Sequence, residues 1–184
     1  KELGVEQPQR RAAQARQDAA QEQVIGIERG VISNARSAYA QWMGTLGITP
    51  ERRVVVYDQQ GAMYAARAWW VLRWMGHRAV QVLDGGWAAW QAAGGAVSTD
   101  QPAERPHTRI TLSPQPGWLL TAGEVLASLQ GHAPALQLLD ARAPDRFRGE
   151  NETLDPVGGH IPGACHRFFR DNLGADGRMK PAAQ

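Results

Sequence analysis

Three groups of residues in this 184-residue sequence are of types that do chemistry. The first is YDQQGAM at 57–63, where the apolar run RRVVVYD passes through a short polar turn into YAARAWWVLRWMGH. A strand, a tight loop and a helix N-terminus aim several backbone N–H groups at one point, a cradle suited to an anion or a reactive thiolate. The position after the strand holds Asp58, whose carboxylate is suited to capping the following helix, with direct acid–base chemistry as the other reading. The second group is LLDARAPDRFR, with Arg142 and Arg146. A guanidinium is a fixed fork of donors suited to sulfonate or carboxylate oxygens. Ion pairs are the alternative, Arg142 with Asp140 and Arg146 with Asp145 or Glu150. The third is the lone thiol, Cys165, which follows HIPGA rather than a strand-loop-helix cradle and has only Arg167 and His166 nearby to favour a thiolate. It reads as a small, partly buried structural cysteine.

The elements that must position these groups follow from periodicity. SNARSAYAQWMGTLGI carries a capping candidate at Ser33 or Asn34, then Tyr39, Trp42, Met43 and Leu46 at helical spacing, then Gly47 as a stop. RRVVVYD is a β-branched run short enough for a buried parallel strand. A helix is expected from about Met63 to Met75, ended by Gly76. AVQVLDGG gives a second strand and GWAAWQAAGG a short helix. Strand, helix, strand, helix at these lengths predicts an α/β domain with a parallel sheet. Pro102, Pro106, Pro114 and Pro116 then mark a surface linker. Beyond it, Thr121 and Glu124 form a capping box before an apolar helix, and ALQLLDAR reads as a strand ending at Asp140–Arg142. No third strand follows in this second segment, so the sheet it starts looks unfinished.

Composition excludes several classes. A formal charge of +2 with no long basic run argues against a nucleic-acid partner. No apolar stretch reaches the roughly 20 residues that span a bilayer, so no membrane partner is expected. One cysteine excludes an internal disulfide and a cysteine-based zinc cluster, and the five histidines are scattered, so no metal site and no cofactor are expected. A cytoplasmic protein is the default, and a mature periplasmic one would look the same. Oligomeric state cannot be read from the sequence.

The segment LLDARAPDRFRGENETLDPVGGHIPGACHRFF resembles the start of a rhodanese domain, the sulfurtransferase fold. The features shared are Asp140-Ala141-Arg142 at a strand end, Arg146-Phe147 in the next loop, and Gly159-His160-Ile161-Pro162-Gly163-Ala164. The stretch VVVYDQQGAMYAARAWWVLRWMGHRAVQVLDGGWAAWQAAGG resembles the second half of such a domain. The resemblance implies two rhodanese-like α/β domains, parallel sheets flanked by helices, both partial here. The boundaries expected are a polar, unmatched helical segment at 1–35, the second half of an inactive N-terminal domain at 36–96, a linker at 97–117, and the first part of a C-terminal domain at 118–184.

The resemblance also implies chemistry. In active rhodanese domains a cysteine stands where this chain has Asp58, so Asp58 marks an inactive loop, a disarmed copy of the cradle. No catalytic residue is assigned, because the expected cysteine would lie beyond Gln184. Arg146 falls where the family binds its anionic donor, and Arg142 belongs to the same basic rim. The partners implied are a small anionic sulfur donor and a thiol or cyanide acceptor, with sulfur carried as a cysteine persulfide. TLDPVGG lacks the additional arginine of relatives that prefer 3-mercaptopyruvate, which favours thiosulfate. A catalytically inactive rhodanese-like binding module is the alternative. His160 reads as a turn-stabilising histidine, and the tryptophans at 69, 70, 74, 87 and 90 as packing residues.

Overall fold

The computed structural model describes residues 11, 33–153 and 155–182. Most of the segment expected at 1–35 therefore lies outside the described residues. The described elements are a helix over 33–45 (α1), strand Val54–Val56 (β1), helix Met63–Trp74 (α2), strand Val80–Val82 (β2) and helix Gly86–Ala92 (α3). Helix Ala122–Leu129 (α4), strand Leu139–Asp140 (β3), helix Pro144–Arg148 (α5), strand Cys165–His166 (β4) and a 3-10 turn at Phe169–Asn172 complete the order. Strands β1 and β2 pair in parallel, Val54 opposite Val80 and Val56 opposite Val82. Strands β3 and β4 also pair in parallel, Leu139 opposite Cys165 and Asp140 opposite His166. The fold is α/β, with parallel strands flanked by helices.

The chain forms two compact units: the stretch up to Pro50 with Ala103–Pro114, and Glu51–Pro102 with everything from Gln115 onward. In the first, Thr108 receives the end of α1. Its Oγ1 donates to the Ile48 carbonyl at 2.6 Å and its N–H to the Gly44 carbonyl at 3.1 Å. The middle of the proline-rich stretch read as a linker is thus anchored chain, and Leu112 within it is buried.

In the second unit α2 supplies the core. Ala65, Val71, Leu72 and Trp74 are buried along it, and Met75 and Val80 are buried beyond it. Trp70 stacks on Trp74 at 5.4 Å and meets Trp118 at 6.2 Å, the packing role expected of these rings. Helix α4 begins with the expected capping box, as Thr121 and Glu124 satisfy each other's backbone N–H. Strand β4 is not among the expected elements, since two residues show no alternation to read, and no third strand follows β3 and β4 among the described residues. One expectation needs correction. Cys165, expected partly buried, is exposed on β4, with the Gln137 amide 3.2 Å from its sulfur.

Candidate functional site

The loop between β1 and α2 closes around one side chain. Oδ1 of Asp58 accepts the backbone N–H of Gln60 and Ala62, and Oδ2 those of Tyr64 and Ala65, all at 2.9 Å. Tyr64 and Ala65 are in the first turn of α2, so the carboxylate caps the helix from four residues before the N-cap, Ala62. Burial raises this carboxyl's pKa, but the donors from Ala65, Gln60, Ala62 and Tyr64 together outweigh it and hold Asp58 below the usual carboxylate range. Converging four amides on one carboxylate requires an unusual turn. Ala62 has φ of 65°, a left-handed conformation that alanine rarely adopts. The Asp58 carbonyl accepts the N–H of Trp87 at 3.0 Å, and Tyr57 stacks on the Trp87 ring at 6.0 Å. That approach needs Gly86 bare, since a Cβ there would overlap the Asp58 carbonyl oxygen. The Asp-Gly-Gly-Trp turn therefore holds the cradle's back wall.

The second group of residues is set by β3 and α5. Strand β3 ends at Asp140, whose carboxylate takes the Arg142 fork at 2.7 to 3.1 Å, while Arg142 Nη2 also donates to the Gly159 carbonyl at 2.6 Å. Arg142 thereby holds Asp140 below the usual carboxylate range. Arg146, in α5, donates to both oxygens of Glu152 at 2.8 to 3.2 Å and to Asp155 at 3.3 Å. The Glu152 side chain is only 6% exposed and also lies 3.8 Å from Arg142, so one buried carboxylate serves both arginines. His160 accepts or donates through Nδ1 at the Phe147 carbonyl, 2.8 Å away, and its ring stacks on Phe147 at 3.8 Å, a turn-stabilising arrangement.

The two groups share a cavity of about 720 Å³. Gly61, Ala62 and Met63 of the cradle loop form one wall, Arg142 and Arg146 another, and Phe168, Phe169 and Arg170 a third. The loop that follows Asp58, at Gly61–Met63, and the arginines at 142 and 146, far apart in sequence, thus line one cavity, while Asp58 itself is turned into its own loop. The partners found for Arg146 are Glu152 and Asp155, where the sequence suggested Asp145 or Glu150; Asp145 instead receives the Arg146 backbone N–H at 2.8 Å. The Asp140–Arg142 pair is as expected. Sequence reasoning missed Glu152, whose only signal is the acidic run GENETLD following the arginines. Among the described residues no group of three histidine, cysteine or acidic side chains could hold a metal ion.

Residues 13–93 match the Rhodanese-like domain family. A relative in Pseudomonas aeruginosa, named a probable 3-mercaptopyruvate sulfurtransferase, is 48% identical over 139 residues, 75% of this chain and 48% of its own length. The chain belongs to the rhodanese family. The rhodanese match begins at residue 13, inside the segment left outside the resemblance on sequence. A second rhodanese relative, thiosulfate sulfurtransferase of Bos taurus, is 36% identical over 156 residues, covering 82% of this chain and 51% of the other. The solved 3-mercaptopyruvate sulfurtransferase of Leishmania major superposes with a TM-score of 0.62 at 28% identity, over 77% of this chain and 39% of that one. This chain spans about half the length of the curated rhodanese relatives it matches.

Proposed function

We propose that this chain is part of a sulfurtransferase that moves sulfane sulfur from a small anionic donor to cyanide or a thiol. Relatives named as sulfurtransferases support sulfur transfer as the reaction class. The observation that carries the reading is the shared cavity, lined by the loop after Asp58 and by Arg142, Arg146 and Arg170. In the proposed cycle a cysteine thiolate attacks the outer sulfur of thiosulfate. The S–S bond breaks and sulfite leaves with its electron pair. Cyanide then takes the outer sulfur from the resulting persulfide as thiocyanate and restores the thiolate. A carboxylate cannot form a persulfide, and Cys165 stands on β4 outside any amide cradle and does not line the cavity, so neither Asp58 nor Cys165 is assigned as the nucleophile. The reacting cysteine belongs to a second cradle outside these residues. Segments 36–96 and 118–184 are read as parts of two domains, the first inactive and the second donor-binding.

Arg146 is assigned the donor and Arg142 the support of that wall. Thiosulfate is preferred over 3-mercaptopyruvate because TLDPVGG offers no further arginine for a carboxylate, although relatives of both names match. A cytoplasmic protein fits the single cysteine. The second reading, a non-catalytic binding module, is favoured by one observation: Arg146's fork is already filled by Glu152. Thiocyanate production from thiosulfate and cyanide separates the two. The full-length protein carrying this chain should turn over and show a persulfide by intact mass. Turnover by a full-length protein with no cysteine other than Cys165 would overturn the proposal.

A further inference from the structure

We infer that Arg170 is the residue that captures the anionic donor in this cavity, an assignment that rests on the sulfurtransferase reading above. Three arginines line the cavity, Arg142, Arg146 and Arg170. The first two are committed. Arg142 pairs with Asp140 at 2.7 Å, Arg146 pairs with Glu152 at 2.8 Å and with Asp155 at 3.3 Å, and Glu152 reaches Arg142 at 3.8 Å. Three carboxylates thus face two guanidinium groups, leaving the cluster with one formal negative charge. Such a cluster repels an oxyanion at a distance, however well its donors are shaped to hold one at contact.

Arg170 is different. Among the described residues no carboxylate pairs with its side chain and no hydrogen bond leaves it; its guanidinium carbon lies 5.7 Å from the centre of the Phe169 ring. Phe169 lines the same cavity, so the ring holds the guanidinium at the cavity wall without using its N–H donors. The neighbouring cations are occupied otherwise. Arg167 donates to the Asn172 side chain and the Asp171 carbonyl, and Lys180 to that same carbonyl. Arg170 is therefore the cavity cation with both charge and donors available, and a thiosulfate dianion would meet it before Glu152 yields Arg146.

Titrating thiosulfate into the full chain by calorimetry at low ionic strength tests this. Arg170→Gln should weaken binding at least about fivefold, the loss of a charge-assisted hydrogen bond discounted for exposure. Arg170→Lys should recover part of the loss. Arg148→Gln, which removes an exposed arginine paired with Glu150 at 2.8 Å and outside the cavity, should leave binding unchanged. Circular dichroism establishes that each variant is folded. If Arg170→Gln binds like the wild type while Arg146→Gln loses affinity, the Arg170 assignment is overturned and the donor-site reading stands. Loss with Arg170→Gln alone keeps Arg170 and removes Arg146. No binding by the wild-type chain at millimolar thiosulfate overturns both.

Discussion

Asp58→Asn is the perturbation that most directly examines the cradle. The native carboxylate accepts four backbone N–H groups at 2.9 Å, two on each oxygen. An asparagine side chain has one carbonyl oxygen, which keeps two of those bonds, and an NH2 group that confronts the other two donors. Two charge-assisted bonds are lost at about 1.5 kcal/mol each, or about 3 kcal/mol, which partial exposure of the loop reduces to about 2 kcal/mol. Urea unfolding followed by tryptophan fluorescence measures this, since Trp69, Trp70, Trp74 and Trp87 lie in the same compact unit as the loop. The pH dependence has a definite sign. Asp58 is held below the ordinary carboxylate range in the folded state. Its contribution is therefore complete above about pH 4 and is lost as pH falls below that. The gap between wild type and Asp58→Asn should be full at pH 7 and narrow towards pH 3, and the amides of Gln60, Ala62, Tyr64 and Ala65 should exchange faster in the variant. A gap below about 0.5 kcal/mol at pH 7, or one that stays constant down to pH 3, refutes the reasoning.

Further expectations concern the same cavity. Asp58→Cys in a Cys165→Ser background should place a thiol among the four amides and lower its pKa, so that iodoacetamide alkylates it at neutral pH at least about tenfold faster than Cys165 in the wild type. Glu152→Gln removes the buried negative charge beside Arg146 and should tighten thiosulfate binding several-fold in calorimetry; weaker binding would make Glu152 a positioning residue instead. Gly86→Ala combines a left-handed φ of 57° with overlap at the Asp58 carbonyl. It should destabilise the loop by about 2 kcal/mol or more, read from the urea midpoint.

What was legible in the sequence is what depends on local chemistry. Helix α2 was bounded at its start and at Gly76 because a glycine with φ of 93° ends it, and α4 because its capping box is written in two residues three apart. Asp58 as a helix cap, and Asp140 as partner of Arg142, follow from short-range geometry. Strands were overcalled: RRVVVYD and ALQLLDAR yielded only Val54–Val56 and Leu139–Asp140, because pairing length is set by the neighbouring strand and not by β-branched content. The partners of Arg146 were out of reach for the same reason. Which acid of GENETLD turns inward depends on the path of the loop, and Glu152 rather than Glu150 is the buried one, while Glu150 pairs with Arg148 in solvent. The anchoring of Thr108 on Ile48 just after α1, 60 positions away, has no local signature at all.

The carboxylate of Asp58 is a permanent tenant. Because it travels with the chain, the loop's ring of amides is saturated at every moment, and no dissolved oxyanion can compete for it without first evicting a covalently tethered rival at very high effective concentration. One wall of the cavity is consequently mute towards solutes of either donor type. Whatever selectivity this pocket has must be written on the arginine side, where an incoming charge finds occupants that can be displaced.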